Sequence, residues 1–222
     1  MNLDEIVAAL GHGAITFVEP GSPRPVPARW REIADAPSPA ARAELALSLW
    51  NSDFAALVPN FFASLQRGLA DVLVCDLRGE WVLLYLTRDP ELLWVGRDPA
   101  TFGETPPPFW ASFPPQLRTF LTEVHAGFTD HEYEYGPVKP EHMVTYAEWA
   151  GYEGPIPDWD VGERISSTRL TFVAKDSGSL LYCVSPDAPP GKIVLLYEGD
   201  IDPTDDFGPR LDILMSHQFE RE

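Results

Sequence analysis

The sequence predicts an α+β fold: an antiparallel β-sheet of about six strands in meanders, flanked by α-helices. Three observations carry this. Two clusters of short runs rich in aliphatic and aromatic residues occur at 71–96 and 169–198. Within each cluster the runs follow one another through turn residues, with no helical repeat between them, which favours antiparallel pairing over a parallel doubly wound sheet. Helical periodicity is confined to segments before, between and after the clusters.

Leu3, Ile6, Val7 and Leu10 recur at helical spacing and Gly11 follows as a stop. "AITFVE" is short and apolar, as a first strand would be, and the Pro-rich 20–29 is an extended connection. Ser38-Pro39 reads as an N-cap and first helical residue for a helix running to about Trp50. Phe54, Leu57, Val58, Phe61, Phe62, Leu65 and Leu69 continue one helical face, and Pro59 inside it predicts a kink or two abutting helices. "DVLVCDL", "EWVLLYL" and "ELLWVG" form the first meander, with "RG" and "RDP" as turns. In "WASFPPQLRTFLTEVHAGFTD", Leu117, Phe120, Leu121 and Val124 make one apolar stripe. Pro114 and Pro115 suit its first turn, and Gly127 suits a left-handed cap. Residues 126–165 are irregular, aromatic and acidic. "RLTFVAK", "SLLYCVS" and "KIVLLYE" form the second meander, in the same sheet or another, and Leu211, Leu214, Met215 and Phe219 mark a last helix opened by Gly208-Pro209. No polar linker divides the chain, so residues 1–222 are expected as a single domain, with helices and the first meander in 1–105.

The 16 Lys and Arg against 34 Asp and Glu leave a net charge of −18. Residues 106–222 carry 20 acidic and 8 basic residues, net −12. Such a surface repels nucleic acid and anionic membrane and attracts a basic protein. No apolar run approaches the roughly 20 residues that span a bilayer, and the acidic start lacks the basic region of a secretory signal. Cys75 and Cys183 stand in apolar strand runs, as small hydrophobes do. The expected location is cytoplasmic.

Catalytic and metal patterns are weak. The five His make no H-E-x-x-H spacing, and His131 beside Glu132 and Glu134 reads as a polar loop. His125 falls in the last turn of its helix, where positive charge suits the dipole. "DIDPTDD" lacks the Gly and Glu of a calcium loop. No catalytic residue, metal site or cofactor is expected, and the chain reads as a non-enzyme.

The stretch W-x-x-F-P-P-x-L-x-x-F-L-x-x-V-H-x-G-F at Trp110–Phe128 resembles the core motif of the SUKH superfamily, immunity proteins related to yeast cell-wall synthesis regulators. "EYGPVKP", the second meander and "FGPRLDILMSHQFE" follow in the family's order, so the resemblance covers 106–222. The family's common Asn-Gly is Ala126-Gly127 here. The resemblance implies an immunity protein that binds and neutralises a cognate, basic protein toxin, such as a nuclease. The expected contacts are the acidic, aromatic loops, through Glu132, Tyr133, Glu134, Tyr135, Asp158, Trp159 and Asp160. "EGDIDPTDD" at 198–206 reads as a solvated approach to the last helix. The alternatives are a regulatory scaffold or small-ligand-binding module on the same fold, and an acid–base hydrolase. The oligomeric state stays open.

Overall fold

The structure, a computed structural model, describes residues 1–11, 15–157, 159, 165–202 and 204–220. Helix α1 (Leu3–Ala9) opens on a capping box in which the Asn2 side chain accepts from the Glu5 N–H and the Glu5 carboxylate accepts from the Asn2 N–H. A short strand β1 (Ile15–Phe17) follows, then α2 (Arg31–Asp35) and α3 (Pro39–Ser48), the latter capped by Ser38 as its sequence predicts. At Pro59 the expected interruption takes the form of two abutting helices, α4 (Ser52–Leu57) and α5 (Pro59–Gly68). Val58 between them is buried and cannot cap α5, so the next orphan N–H groups are satisfied from far along the chain. The buried Asp212 carboxylate accepts from Asn60 N–H at 3.2 Å and Phe61 N–H at 2.8 Å.

The first meander is β2 (Leu69–Leu77), β3 (Glu80–Thr87) and β4 (Leu93–Arg97). The motif helix is shorter than its apolar stripe. It is α6 (Pro115–Thr119) followed by one π-helical turn, Phe120–Val124, and His125 is already extended at φ −142°. Strand β5 (Phe128–Asp130) leads through α7 (Tyr146–Trp149) to the second meander, β6 (Thr171–Lys175), β7 (Leu180–Val184) and β8 (Lys192–Tyr197). The acidic 198–206 segment holds two-residue strands β9 (Asp200–Ile201) and β10 (Asp205–Asp206), and α8 (Phe207–Ser216) closes the fold.

The α+β class and antiparallel pairing are as expected, but among the described residues ten strands replace about six. They form two five-stranded sheets, one ordered β1-β2-β3-β4-β5, the other β10-β8-β7-β6 with β9 on β8. Of the added strands, β1 falls in the "AITFVE" run read as a first strand, while β5, β9 and β10 are two- or three-residue pieces defined only once a neighbour supplies their hydrogen bonds.

Residues 134–138 bridge the sheets. Phe128 N–H donates to the Pro137 carbonyl at 2.8 Å and Asp130 N–H to that of Glu134 at 3.0 Å. On the other side Tyr135 N–H donates to Lys175 O at 2.8 Å and Val138 N–H to Val173 O at 3.0 Å. The segment thus lies between β5 and β6, antiparallel to both, and joins the sheets into one continuous surface. Two glycines permit the close approach. A Cβ on Gly136 would lie 2.1 Å from the Phe128 carbonyl oxygen; one on Gly127, at φ +106°, would lie 2.9 Å from Lys139 N. Gly127 therefore serves this seam rather than capping the helix.

The larger core packs helices α2–α6 and α8 on one face of this surface. The rings of Trp50, Phe54, Phe61, Phe120 and Phe128 meet there, Phe120 stacked on Phe54 at 3.9 Å. On the opposite face, Val82, Leu84, Leu86, Leu93 and Val95 are covered by Ile6 and Leu10 of α1. That cover stops at β4.

Candidate binding groove

Beyond α1, the same face is open. The register pairs Val95 with Thr129, and alternation along β4 puts Arg97 on Val95's side, so both Thr129 and Arg97 continue the α1 face. Thr129, Gly127, Val138 and Phe172 floor a groove of about 390 Å³ at the seam. Arg97, Lys139, His142 and Lys175 contribute polar groups to it, and Tyr133 and Trp149 stand at its margin. A polar depression of about 440 Å³ near Asn60 and Arg67 is larger, but hydroxyl, amide and charged groups dominate its lining.

Each wall has a local cause. Thr145 and Glu148 form a capping box that starts α7, and Trp149 at its end remains 53% exposed, its ring stacked on Tyr146 at 5.9 Å. Tyr133 adopts φ +65°, uncommon for a residue with a side chain, and is 45% exposed. One oxygen of the Asp130 carboxylate accepts the N–H groups of Glu132 at 3.0 Å and Glu134 at 2.8 Å, closing the turn that presents Tyr133. The Arg97 guanidinium lies under the Tyr133 ring, 5.3 Å from its centre.

The cations are oriented from outside the groove. Glu80 accepts from Arg97 at 3.0 Å and Lys139 at 2.5 Å; Lys139 also meets Glu141 at 3.1 Å, and Lys175 meets Glu134 at 3.0 Å. Burial would raise the Glu80 carboxyl, but Lys139 and Arg97 together hold it below the usual carboxylate range. Among the described residues, no carboxylate lines the groove itself. In a chain with 16 Lys and Arg, three cations line one apolar opening, each balanced from behind by Glu80, Glu141 or Glu134, so this patch is close to neutral within an acidic surface.

The expected contact residues are divided. Glu132 and Tyr133 are exposed beside the groove. Glu134 is mostly covered and ion-paired, and Tyr135 is buried at 2% exposure, its hydroxyl donating to Ser177 at 2.5 Å; neither is a free contact. The reason for Tyr135 is the seam, which turns its side chain into the core. Trp159 is half-buried, donates its indole N–H to Ile165 O at 3.0 Å and packs near Tyr146. Asp158 and Asp160 lie outside the described residues. Asp130, Glu132 and Glu134 bring oxygens within 4.8 Å of one another, but Asp130 is occupied by the turn and Glu134 by Lys175.

His125 overturns the helix-dipole reading. It is fully buried, past the helix end. Nε2 accepts from the Tyr85 hydroxyl at 2.8 Å, and Nδ1 faces the Arg97 carbonyl at 3.3 Å, which requires the proton on Nδ1. Burial drives its pKa down to about 3, so the ring is neutral. Cys75 and Cys183 are buried and free, and burial pushes both thiols up, as inert core cysteines require.

Asp130 is shifted the other way. Burial raises it to about 6 against the two turn N–H groups, which lower it. The folded chain therefore holds this proton more tightly than the unfolded chain. The charged form's penalty is present above about pH 6 and vanishes below the ordinary value of 3.8. Asp130→Asn, which retains the amide oxygen for the turn, is expected to gain about 2 kcal/mol relative to the parent between pH 4 and 7. Urea unfolding at both pH values measures this; a relative loss at pH 7 contradicts the buried-charge account.

Fold and groove together define a class: an α+β protein whose joined antiparallel sheets present an aromatic-flanked, cation-lined groove. Compared with known proteins, the chain matches no family model, no curated protein and no solved structure. No helix among the described residues is long and apolar enough to cross a membrane.

Proposed function

We propose that this protein acts by binding, as a cytoplasmic, non-enzymatic immunity protein that occludes a cognate toxin with a basic surface. One observation carries the reading. Of the six exposed large apolar side chains among the described residues, Tyr133, Trp149 and Tyr152 fall within 20 residues of one another, interspersed with the exposed carboxylates Glu132, Glu141, Glu148 and Glu153. Aromatic anchors beside charges are the composition of interface hot spots, and an acidic rim accelerates encounter with a basic partner. The resemblance of residues 106–222 to SUKH immunity proteins supports the same reading. The groove also gives the small-ligand module a specific basis, as a second reading.

The test is co-expression with the protein encoded beside it, followed by kinetics of complex formation. Glu132→Lys with Glu153→Lys is expected to slow association about tenfold at low salt, and to leave dissociation nearly unchanged. An association rate indifferent to both substitutions and to salt removes the acidic rim from the mechanism.

A further inference from the structure

We propose that the groove seats one acidic, apolar segment of the protein partner, its carboxylate held among Arg97, Lys139 and Lys175 and its apolar side chain laid on Val138 and Phe172. This rests on the binding reading above and names the chemistry of the partner's anchor: a basic toxin would present one acidic-apolar protrusion within its positive surface.

Charge complementarity selects the occupant. The groups that face the groove are N–H donors of three cations, with their carboxylate partners Glu80, Glu141 and Glu134 behind them, so an acceptor such as a carboxylate finds partners there and a basic side chain finds none. Two of the cations keep donors to spare, while the Lys139 ammonium is already shared between Glu80 and Glu141. Lys175 makes a single ion pair, and Arg97 gives Nη1–H to Glu80; an ammonium has three N–H donors and a guanidinium five. The chain's overall −18 opposes an extended polyanion such as nucleic acid, but charges beyond a Debye length of about 8 Å are largely screened. A single carboxylate inside the groove is therefore governed by its immediate neighbours, the three cations that face it and the three carboxylates paired behind them, and it draws on the donors those pairs leave unused.

The floor asks for an apolar companion. Val138 and Phe172 are each 5% exposed, and Tyr133 and Trp149 add aromatic surface at the margin. Tyr152, three residues beyond Trp149, is a further exposed aromatic outside the groove's lining, a surface that a protein partner can cover and a small molecule cannot. Tyr133 is held in a left-handed conformation by the Asp130 turn, and backbone outliers of this kind collect at binding sites.

The test is an NMR titration of the full chain with two capped peptides, acetyl-Phe-Asp-Leu-amide and acetyl-Phe-Asn-Leu-amide. The acidic peptide is expected to shift the amides of Gly127 and Thr129 and the Trp149 indole, and to bind about tenfold more tightly than its neutral counterpart. Lys175→Gln should bring the acidic peptide down to the neutral one's affinity, and Trp149→Ala should weaken both. Equal affinities, shifts confined to other surfaces, or benzoate binding as tightly as the acidic peptide overturn the proposal; the last marks a small-carboxylate site. Its failure is separable from that of the immunity reading. Toxin protection that survives Lys175→Gln and Trp149→Ala but not the rim reversals sinks the anchor alone, whereas peptide binding without toxin protection sinks the function alone.

Discussion

Gly136→Ala is expected to cost on the order of 3 kcal/mol or more and to loosen the join between the two sheets. The added methyl would lie 2.1 Å from the Phe128 carbonyl oxygen, far inside contact distance, and the obstacle is backbone rather than a side chain that can rotate away. Relief requires the 134–138 segment to withdraw. That strains the Phe128–Pro137 and Tyr135–Lys175 hydrogen bonds, one on each side of the seam. Each buried donor left without a partner costs about 1–3 kcal/mol. The groove should suffer too, because Thr129 lies on one side of the seam and Phe172 and Lys175 on the other. Gly154→Ala is the control: a Cβ there meets nothing within 4 Å. Chemical denaturation compares the two, and equal midpoints would mean that the seam does not carry the fold.

Acid is expected to withdraw the stability supplied by the neutral His125 ring, beginning near pH 6.5. The ordinary imidazole value is 6.5, and burial among Trp50, Tyr85, Phe120 and Phe128 brings it to about 3, with the Arg97 carbonyl opposing and Arg29 assisting. The unfolded chain binds the proton first as pH falls. Stability from the neutral ring is complete above pH 6.5 and is lost progressively toward pH 3, an integrated loss on the order of 4 kcal/mol. Asp130 works against this between pH 6 and 4, because its folded form gains the proton there. The two proton balances nearly cancel in that window, so the net slope between pH 6 and 4 is close to zero. His125→Gln keeps a neutral donor and acceptor for Arg97 and Tyr85. It should lower stability at pH 7 and, with Asp130 left unopposed, make stability rise as pH falls from 6 to 4. A variant with the parent's slope would assign the acid sensitivity to other groups.

The two effects meet at β4. Gly96 has no side chain because the His125 ring occupies its place, 2.6 Å from where a Cβ would be. His125 in turn receives the Tyr85 hydroxyl, which accepts the Trp50 indole N–H at 3.4 Å. A polar chain thus runs through the aromatic core directly behind Arg97. Burial without solvent makes each of its members costly to remove.

The chain's own residues determined the elements. Ser38-Pro39 marks a helix start because an N-cap oxygen and a proline without N–H answer the same orphan donors. Pro59 divides α4 from α5 for the second of those reasons, and the six apolar runs pair as meanders because turn residues, not helices, join them. These are local effects, decided within a few residues. Tyr133 and Glu132 were likewise legible as an exposed aromatic–acidic turn. Only the tertiary structure decided that Tyr135, two residues on, is core, and that His125 is neutral. It also assembled the groove. Arg97, Lys139, Trp149 and Lys175 stand up to 78 positions apart, each unremarked in its own segment, although cations so sparse in an acidic chain were a usable signal. They meet because residues 134–138 join two sheets, an arrangement set by backbone hydrogen bonds and the space two glycines leave, which no periodicity encodes.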